Sequence, residues 1–324
     1  MSEYKTIHGI HVQALDTDPS NIGAGQVWYN LTSNQLKWTT VSTSGAWATG
    51  GNMATGRIHP GGAGTETAAL GFGGSTPSGY TAVTEHYDGS AWTAGGNMGT
   101  ARNYLSGCGT QTAGLGFGGY DGSSITNATE HYDGSAWTAG GNMGTARKGL
   151  AGAGTQTAGL GFGGYVSDIT NATEHYDGSA WTAGGNLGTS RRNLGSAGTQ
   201  TAGLAFGGRA PGQTNATEHY DGSAWTAGGN MATSKYSLAG AGTQTAGLGF
   251  GGYIDMFEVN TTQHYDGSAW TSGGNMGTGR GHLGGVGTLS SGLAFGGSGS
   301  STAAPIATEE YAGPGITTQT VTSS

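Results

Sequence analysis

The chain has 324 residues, 70 of them Gly, carries only 9% Asp, Glu, Lys and Arg, and has a formal net charge of −8. Leu, Ile, Val and Phe make up about 12% of it, a level typical of disorder, but the charge density is too low for a self-repelling chain and its 8 Trp, 14 Tyr and 7 Phe return at regular intervals. The single Cys108 excludes an intrachain disulfide, Lys and Arg scattered singly offer no stripe for nucleic acid, and neither a membrane-spanning apolar run nor, at Met1-Ser2-Glu3-Tyr4-Lys5, a secretory signal is expected.

In chain order, residues 1–44 are read as an N-terminal docking segment with a β-hairpin, containing Asp18-Pro19-Ser20-Asn21, Gly25-Gln26-Val27-Trp28-Tyr29-Asn30 and Asn34-Gln35-Leu36-Lys37. From 45 to 315 a unit of about 45 residues recurs. Its Phe falls at 72, 117, 162, 206, 250 and 295; its Trp at 47, 92, 137, 181, 225 and 270; its Tyr at 87, 132, 176, 220, 265 and 311. Residues 316–324 are read as a C-terminal tail.

Within the unit Arg102–Met143 four short strands are expected. The first follows Arg102 and contains Leu105, Gly107 and Gly109. The second, Thr112 to Gly118, alternates Ala113, Leu115 and Phe117 with Gly114 and Gly116, a period of two with one bare face. The third is Ala128–Tyr132 and the fourth runs through Ala136-Trp137-Thr138, joined by Asp133-Gly134-Ser135, whose Asp-Gly pair favours a tight turn with positive φ. Four antiparallel strands per unit and no helical period predict an all-β, six-bladed β-propeller of four-stranded blades. Because Gly45-Ala46-Trp47 precedes the first full unit and the last stops at Ala307-Thr-Glu-Glu-Tyr311, the N-terminal strand is expected to complete the last blade and leave no open edge.

The order Gly118-Gly119, Glu130-His131-Tyr132-Asp133, Trp137, Asn142, Met143 and Arg147, kept in six copies over residues 46–311, resembles the kelch motif, with a shorter Tyr-to-Trp interval and more Gly. The resemblance implies that the recurrent Glu (85, 130, 174, 218, 309, with Gln263 in one unit) pairs with the recurrent base (Arg57, Arg102, Arg147, Arg191, Lys235, Arg280). Residues 16–47 are similar to a hairpin segment near the start of tailed-bacteriophage structural proteins, notably tail-fibre and appendage proteins of marine phages that continue into Gly-rich kelch-like repeats.

A ring of carboxylates, a His in five units (86, 131, 175, 219, 264) and Cys108 are the features open to a catalytic reading, and each has a structural one. A buried charge needs a partner, side chains spread one per blade do not converge on an ion, and Cys108 stands where other copies have Ala or Val. Arg102, Glu130, Tyr132, Trp137, Arg147 and Glu174 are therefore read as contacts between blades, with no catalytic residue, no metal site and no cofactor. The Asn-x-Thr triplets at Asn127, Asn171 and Asn215 are read as part of the repeat.

The copies differ most in the loop between second and third strands and just after the recurrent base, two places expected on one face. Tyr104, Tyr120, Asp121, Tyr165, Arg209, Tyr236, Tyr253 and Phe257 are the ligand-binding candidates there, since aromatic residues dominate binding hot spots. The expectation is a non-enzymatic virion protein, a tail-fibre, appendage or decoration component assembled in the host cytoplasm. It would bind other virion proteins through the N-terminal segment and a host-surface glycan or protein through the loops, without nucleic acid or membrane insertion; self-association is left open. The alternative is a soluble lectin-like or galactose-oxidase-like enzymatic propeller.

Overall fold

The structure, a computed structural model, describes residues 3–7, 10–23, 25–299 and 306–320. No helix occurs among them, and the chain divides into two compact units, Met1–Gly45 with Gly313–Ser324, and Ala46–Ala312.

The larger unit holds six four-stranded antiparallel sheets among the described residues. In the second, Ser106–Gly109, Gly114–Phe117, Thr129–Tyr132 and Trp137–Ala139 lie side by side in chain order. The second strand is buried throughout, with Leu115 and Phe117 at 0% exposure; burying such a side chain stabilises by roughly 1.5–3 kcal/mol. Glycine is required where neighbouring sheets approach. A Cβ on Gly107 would lie 2.4 Å from Phe72 Cζ and 2.8 Å from the carbonyl oxygen of Gly62, so any side chain there would force two sheets apart. The Asp133-Gly134 turn spans four residues between Tyr132 and Trp137, which face each other. Gly134 has φ +96°, and Asp133 Oδ1 accepts from the N–H groups of Ser135 and Ala136, both at 2.8 Å.

Each sheet is docked on the preceding one by the recurrent aromatics. Trp137 Nε1 donates to Thr84 Oγ1 at 2.9 Å and its ring lies 4.7 Å from that of Phe72. Equivalent bonds join Trp181 to Thr129, Trp225 to Thr173, Trp270 to Thr217, Trp47 to Thr262 and Trp92 to Thr308, the last running from the sixth sheet back to the first. A second set joins His86 Nε2 to the Tyr132 hydroxyl at 2.7 Å and repeats at His131–Tyr176, His175–Tyr220, His219–Tyr265 and His264–Tyr311, with Glu310 taking the place of His toward Tyr87. The first strands lie beside one another in the same cyclic order, Gly284–Gly287 next to Gly61–Thr65. The sixth sheet consists of Gly284–Gly287, Ser291–Phe295, Thr308–Ala312 and Ala46–Thr49, with Trp47 opposite Tyr311. This repeated pattern of sheets fits a β-propeller.

Tyr132 and Trp137 thus reach between sheets, whereas the basic and acidic residues pair inside one repeat. Arg102 Nη2 meets Glu130 Oε1 at 2.7 Å and Arg147 Nη2 meets Glu174 Oε1 at 2.8 Å, each base lying in the connection that precedes the first strand of the sheet that holds its carboxylate. Arg57–Glu85, Arg191–Glu218 and Arg280–Glu309 repeat the pair. Each carboxylate also accepts a backbone N–H from the connection before it, as Glu130 does from Gly99 at 2.6 Å, and Arg102 Nη1 donates to the carbonyls of Gly118 and Ala128. In the fifth unit both partners change together, to Lys235 and Gln263; among the described residues Lys235 Nζ donates to Thr261 O and Oγ1, at 3.4 and 3.3 Å. Burial holds the Lys235 ammonium down at about 8, and Gln263 Oε1 is buried without a partner.

In the smaller unit a five-stranded sheet runs Glu3–Ile7, Ile10–Leu15, Val27–Asn30, Gln35–Ser42, Gly315–Thr320, antiparallel except between the second and third strands. The stretch read as a tail from 316 therefore supplies a strand as far as Thr320, its Ile316, Thr317, Thr318 and Thr320 being β-branched and suited to extended backbone; residues 321–324 lie outside the described residues. Asp18 is the hub of the hairpin. It accepts from Trp28 Nε1 at 3.0 Å, Asn30 Nδ2 at 2.7 Å and Lys37 Nζ at 2.7 Å, and these bonds, led by Lys37, hold its carboxyl down at about 2.

Candidate ligand-binding face

Chain geometry after the recurrent base brings the two variable stretches together. Ile58, Asn103, Lys148, Arg192 and Tyr236 form backbone bridges to Ser75, Tyr120, Tyr165, Arg209 and Tyr253, the first loop residues after the second strand, and Gly281 pairs with Ser298 in the sixth unit. Of that sixth loop, read as 298–305, residues 300–305 lie outside the described residues. The next residue inward, His59, Tyr104, Gly149, Asn193, Ser237 or His282, has a positive φ of 52–62° in every unit. In this left-handed conformation the backbones link tangentially: N–H groups of His59, Gly149, Asn193, Ser237 and His282 donate to the carbonyls of His282, Tyr104, Gly149, Asn193 and Ser237, at 2.7–2.9 Å.

This belt surrounds a cavity of about 100 Å3 whose floor is Pro60 with Leu105, Leu150, Leu194, Leu238 and Leu283. Below it a channel of about 210 Å3 runs among the first strands and includes Cys108, whose thiol burial pushes up to about 12; no thiolate nucleophile is present there at neutral pH. The His59 ring lies 3.5 Å from that of Tyr104 and 4.0 Å from that of His282, centroid to centroid. Burial lowers both imidazoles, His282 to about 4 and His59 well below the ordinary histidine value with the added effect of His282, so both are neutral at pH 7.

Gly149 breaks the row of side chains. Asn193 leans over it, its Oδ1 only 2.4 Å from where a Cβ would stand, and the gap opens into a cleft of about 290 Å3 lined by Tyr104, Lys148, Gly149, Tyr165, Arg192, Asn193, Arg209, Tyr236 and His282. Tyrosine faces hold the cations: Lys148 Nζ sits 4.8 Å from the Tyr120 ring centre and 5.7 Å from that of Tyr165, Arg192 5.1 Å from Tyr165, and Arg209 5.4 Å from Tyr236. Such contacts orient a charge without neutralising it. The Tyr104 hydroxyl is raised by burial, an effect that the neighbouring positive Arg192 opposes.

Of the eight ligand-binding candidates, Tyr104, Tyr165, Arg209 and Tyr236 meet in this cleft. Tyr120 stands at its edge through Lys148. Tyr253 stacks behind Tyr236 at 5.4 Å and shares its hydroxyl with Ser298 and Glu258. Asp121 is committed to its own loop, accepting from the N–H groups of Ser123 and Ser124 at 2.8 Å. Phe257 points outward beside Met256, 74% and 83% exposed, at the end of a hairpin away from the cleft lining. Lys148, Arg192, Gly149, Asn193 and His282 were not among the candidates. The sequence signal for the first two was present: within the repeats they and Arg209 are the only bases off the recurrent position. No protein-family model matches this chain, and no curated protein matches it.

Proposed function

We propose that the larger unit is a six-bladed, kelch-like β-propeller, closed by the strand Ala46–Thr49, and that it serves as a non-enzymatic display module whose variable loop face binds a ligand. The observation that carries this reading is the cleft itself. Six near-identical repeats produce one place where three cations and three tyrosines converge, on the face where the repeats diverge. Repetition alone would yield six equivalent surfaces.

The virion assignment rests on the resemblance of residues 16–47 to phage appendage proteins. In that reading the smaller unit docks on the particle and the propeller faces the host surface. Two measurements test it. Mass spectrometry of purified particles is expected to detect the chain, and its absence from them removes the virion reading. Particles carrying Tyr165→Ser with Tyr236→Ser are expected to adsorb poorly while the purified protein melts as wild type; full adsorption would make the propeller a spacer.

A further inference from the structure

Of the eleven basic residues in the chain, Lys5 and Lys37 belong to the smaller unit and six occupy the buried recurrent position. The remaining three, Lys148, Arg192 and Arg209, all line one cleft. None is paired with a carboxylate among the described residues, and no Asp or Glu lines the cleft. Arg192 and Arg209 are moreover direct cross-strand partners, each N–H bonded to the other's carbonyl, at 3.1 and 2.8 Å. Like charges placed opposite each other disfavour the fold, and none of the other five units puts two charges at these positions. A protein of net charge −8 thus concentrates the three unpaired cations of its larger unit in one cleft, where they repel one another.

We propose that this cleft binds an anionic saccharide residue, its carboxylate or phosphate held by Arg192, Arg209 and Lys148. The proposal rests on the display reading above and names its ligand class. A bound anion supplies the missing counter-charge and the acceptor for the guanidinium donors, contacts that are strong because both partners are charged. The cleft, about 290 Å3, sits at the small end of the roughly 300–1,000 Å3 typical of ligand pockets, which fits one sugar ring. Asn193 and the Tyr104 and Tyr165 side chains provide the polar groups that sugar hydroxyls need.

Isothermal titration of the full-length protein tests this, with glucuronate, glucose 1-phosphate, glucose, acetate and inorganic phosphate as probes at low and at high salt. Glucuronate or glucose 1-phosphate is expected to bind, glucose at least tenfold more weakly, with affinity falling as salt rises; the stronger of the two identifies the anion as carboxylate or phosphate. Arg192→Gln and Arg209→Gln are each expected to weaken binding tenfold or more, and Arg192→Lys to restore part of it. Acetate and inorganic phosphate binding as well as the sugars would overturn the saccharide assignment. If no anion binds but Arg192→Gln particles lose adsorption, the anionic-sugar proposal falls and the display reading stands. If no anion binds and adsorption is unchanged both by these variants and by the tyrosine pair, both fall.

Discussion

Replacing Gln263 by Glu should stabilise the protein, although it adds a buried charge. Burial lowers Lys235 from 10.5 to about 8, and at about 1.4 kcal/mol per pKa unit the folded state at pH 7 bears a cost of roughly 3 kcal/mol for holding that ammonium without a counterion. In the other five units a carboxylate at this position accepts a guanidinium nitrogen at 2.7–2.9 Å and a backbone N–H from the preceding connection. A carboxylate at 263 would find Lys235 in place of Arg and would recover part of that cost, so a gain of about 1–3 kcal/mol is expected, or several degrees in melting temperature for a unit of this size. The pH dependence gives a sharper check. Between pH 8 and 10.5 the unfolded wild-type chain binds more protons at Lys235 than the folded one, so this residue makes stability rise with pH across that window. In Gln263→Glu the ammonium keeps its proton in the folded state and the rise should vanish; the difference between the two denaturation curves cancels the tyrosines and the remaining bases. A variant that melts lower than wild type at pH 7, or a pH profile parallel to it, would refute the argument and mean that the lysine stem does not reach position 263.

Glu130→Ala removes one partner of a buried pair and strands Arg102 and the Gly99 N–H, so a loss of about 3–5 kcal/mol is expected in urea denaturation. Trp47→Ala and Trp137→Ala should cost similar amounts, because each ring packs on a Phe of the preceding sheet, 4.9 and 4.7 Å away, and donates to a Thr at 2.9 Å; a much smaller cost at Trp47 would argue against closure by Ala46–Thr49. Asp18 ionises at about 2 when folded, below the ordinary carboxylate value, so its contribution is present above pH 4 and lost as pH falls toward 2. Trp28 fluorescence should report that acid transition, and Asp18→Asn should remove its pH dependence.

The sheets were legible because their signals are local and repeated. Phe117, Tyr132 and Trp137 recur at a fixed step since each must meet the same neighbour one sheet away, and the bare positions mark close approach, of the Gly62 backbone at Gly107 and of the Phe72 and Trp137 rings at Gly116. The belt of left-handed residues was not legible. His59, Tyr104, Asn193, Ser237 and His282 share a backbone conformation but no side-chain property, and glycine, the usual mark of positive φ, appears only at 149. Of the four ligand candidates that meet in the cleft, three, Tyr104, Tyr165 and Tyr236, were found by looking for variable aromatics. Lys148 and Arg192 escaped because each directly follows a recurrent Arg in the chain, and only the fold separates the buried guanidinium of Arg191 from the cleft-facing one of Arg192. The strand Gly315–Thr320 was missed because its partner, Gln35–Ser42, lies at the far end of the sequence.

That long-range pairing has a kinetic consequence. Five of the six four-stranded sheets can be assembled from residues within a single repeat as they leave the ribosome, whereas Trp47 waits for Tyr311 and Val41 waits for Ile316. Until then the strands around 35–49 present unpaired backbone edges, the kind of surface on which chains aggregate. The equilibrium penalty for closing so long a loop is small, since each doubling of length adds only about 0.6 kcal/mol, but the rate falls as contacts become non-local. Folding is thus expected to be biphasic, a fast repeat-by-repeat stage followed by a slow registration step that Trp47 fluorescence alone would time.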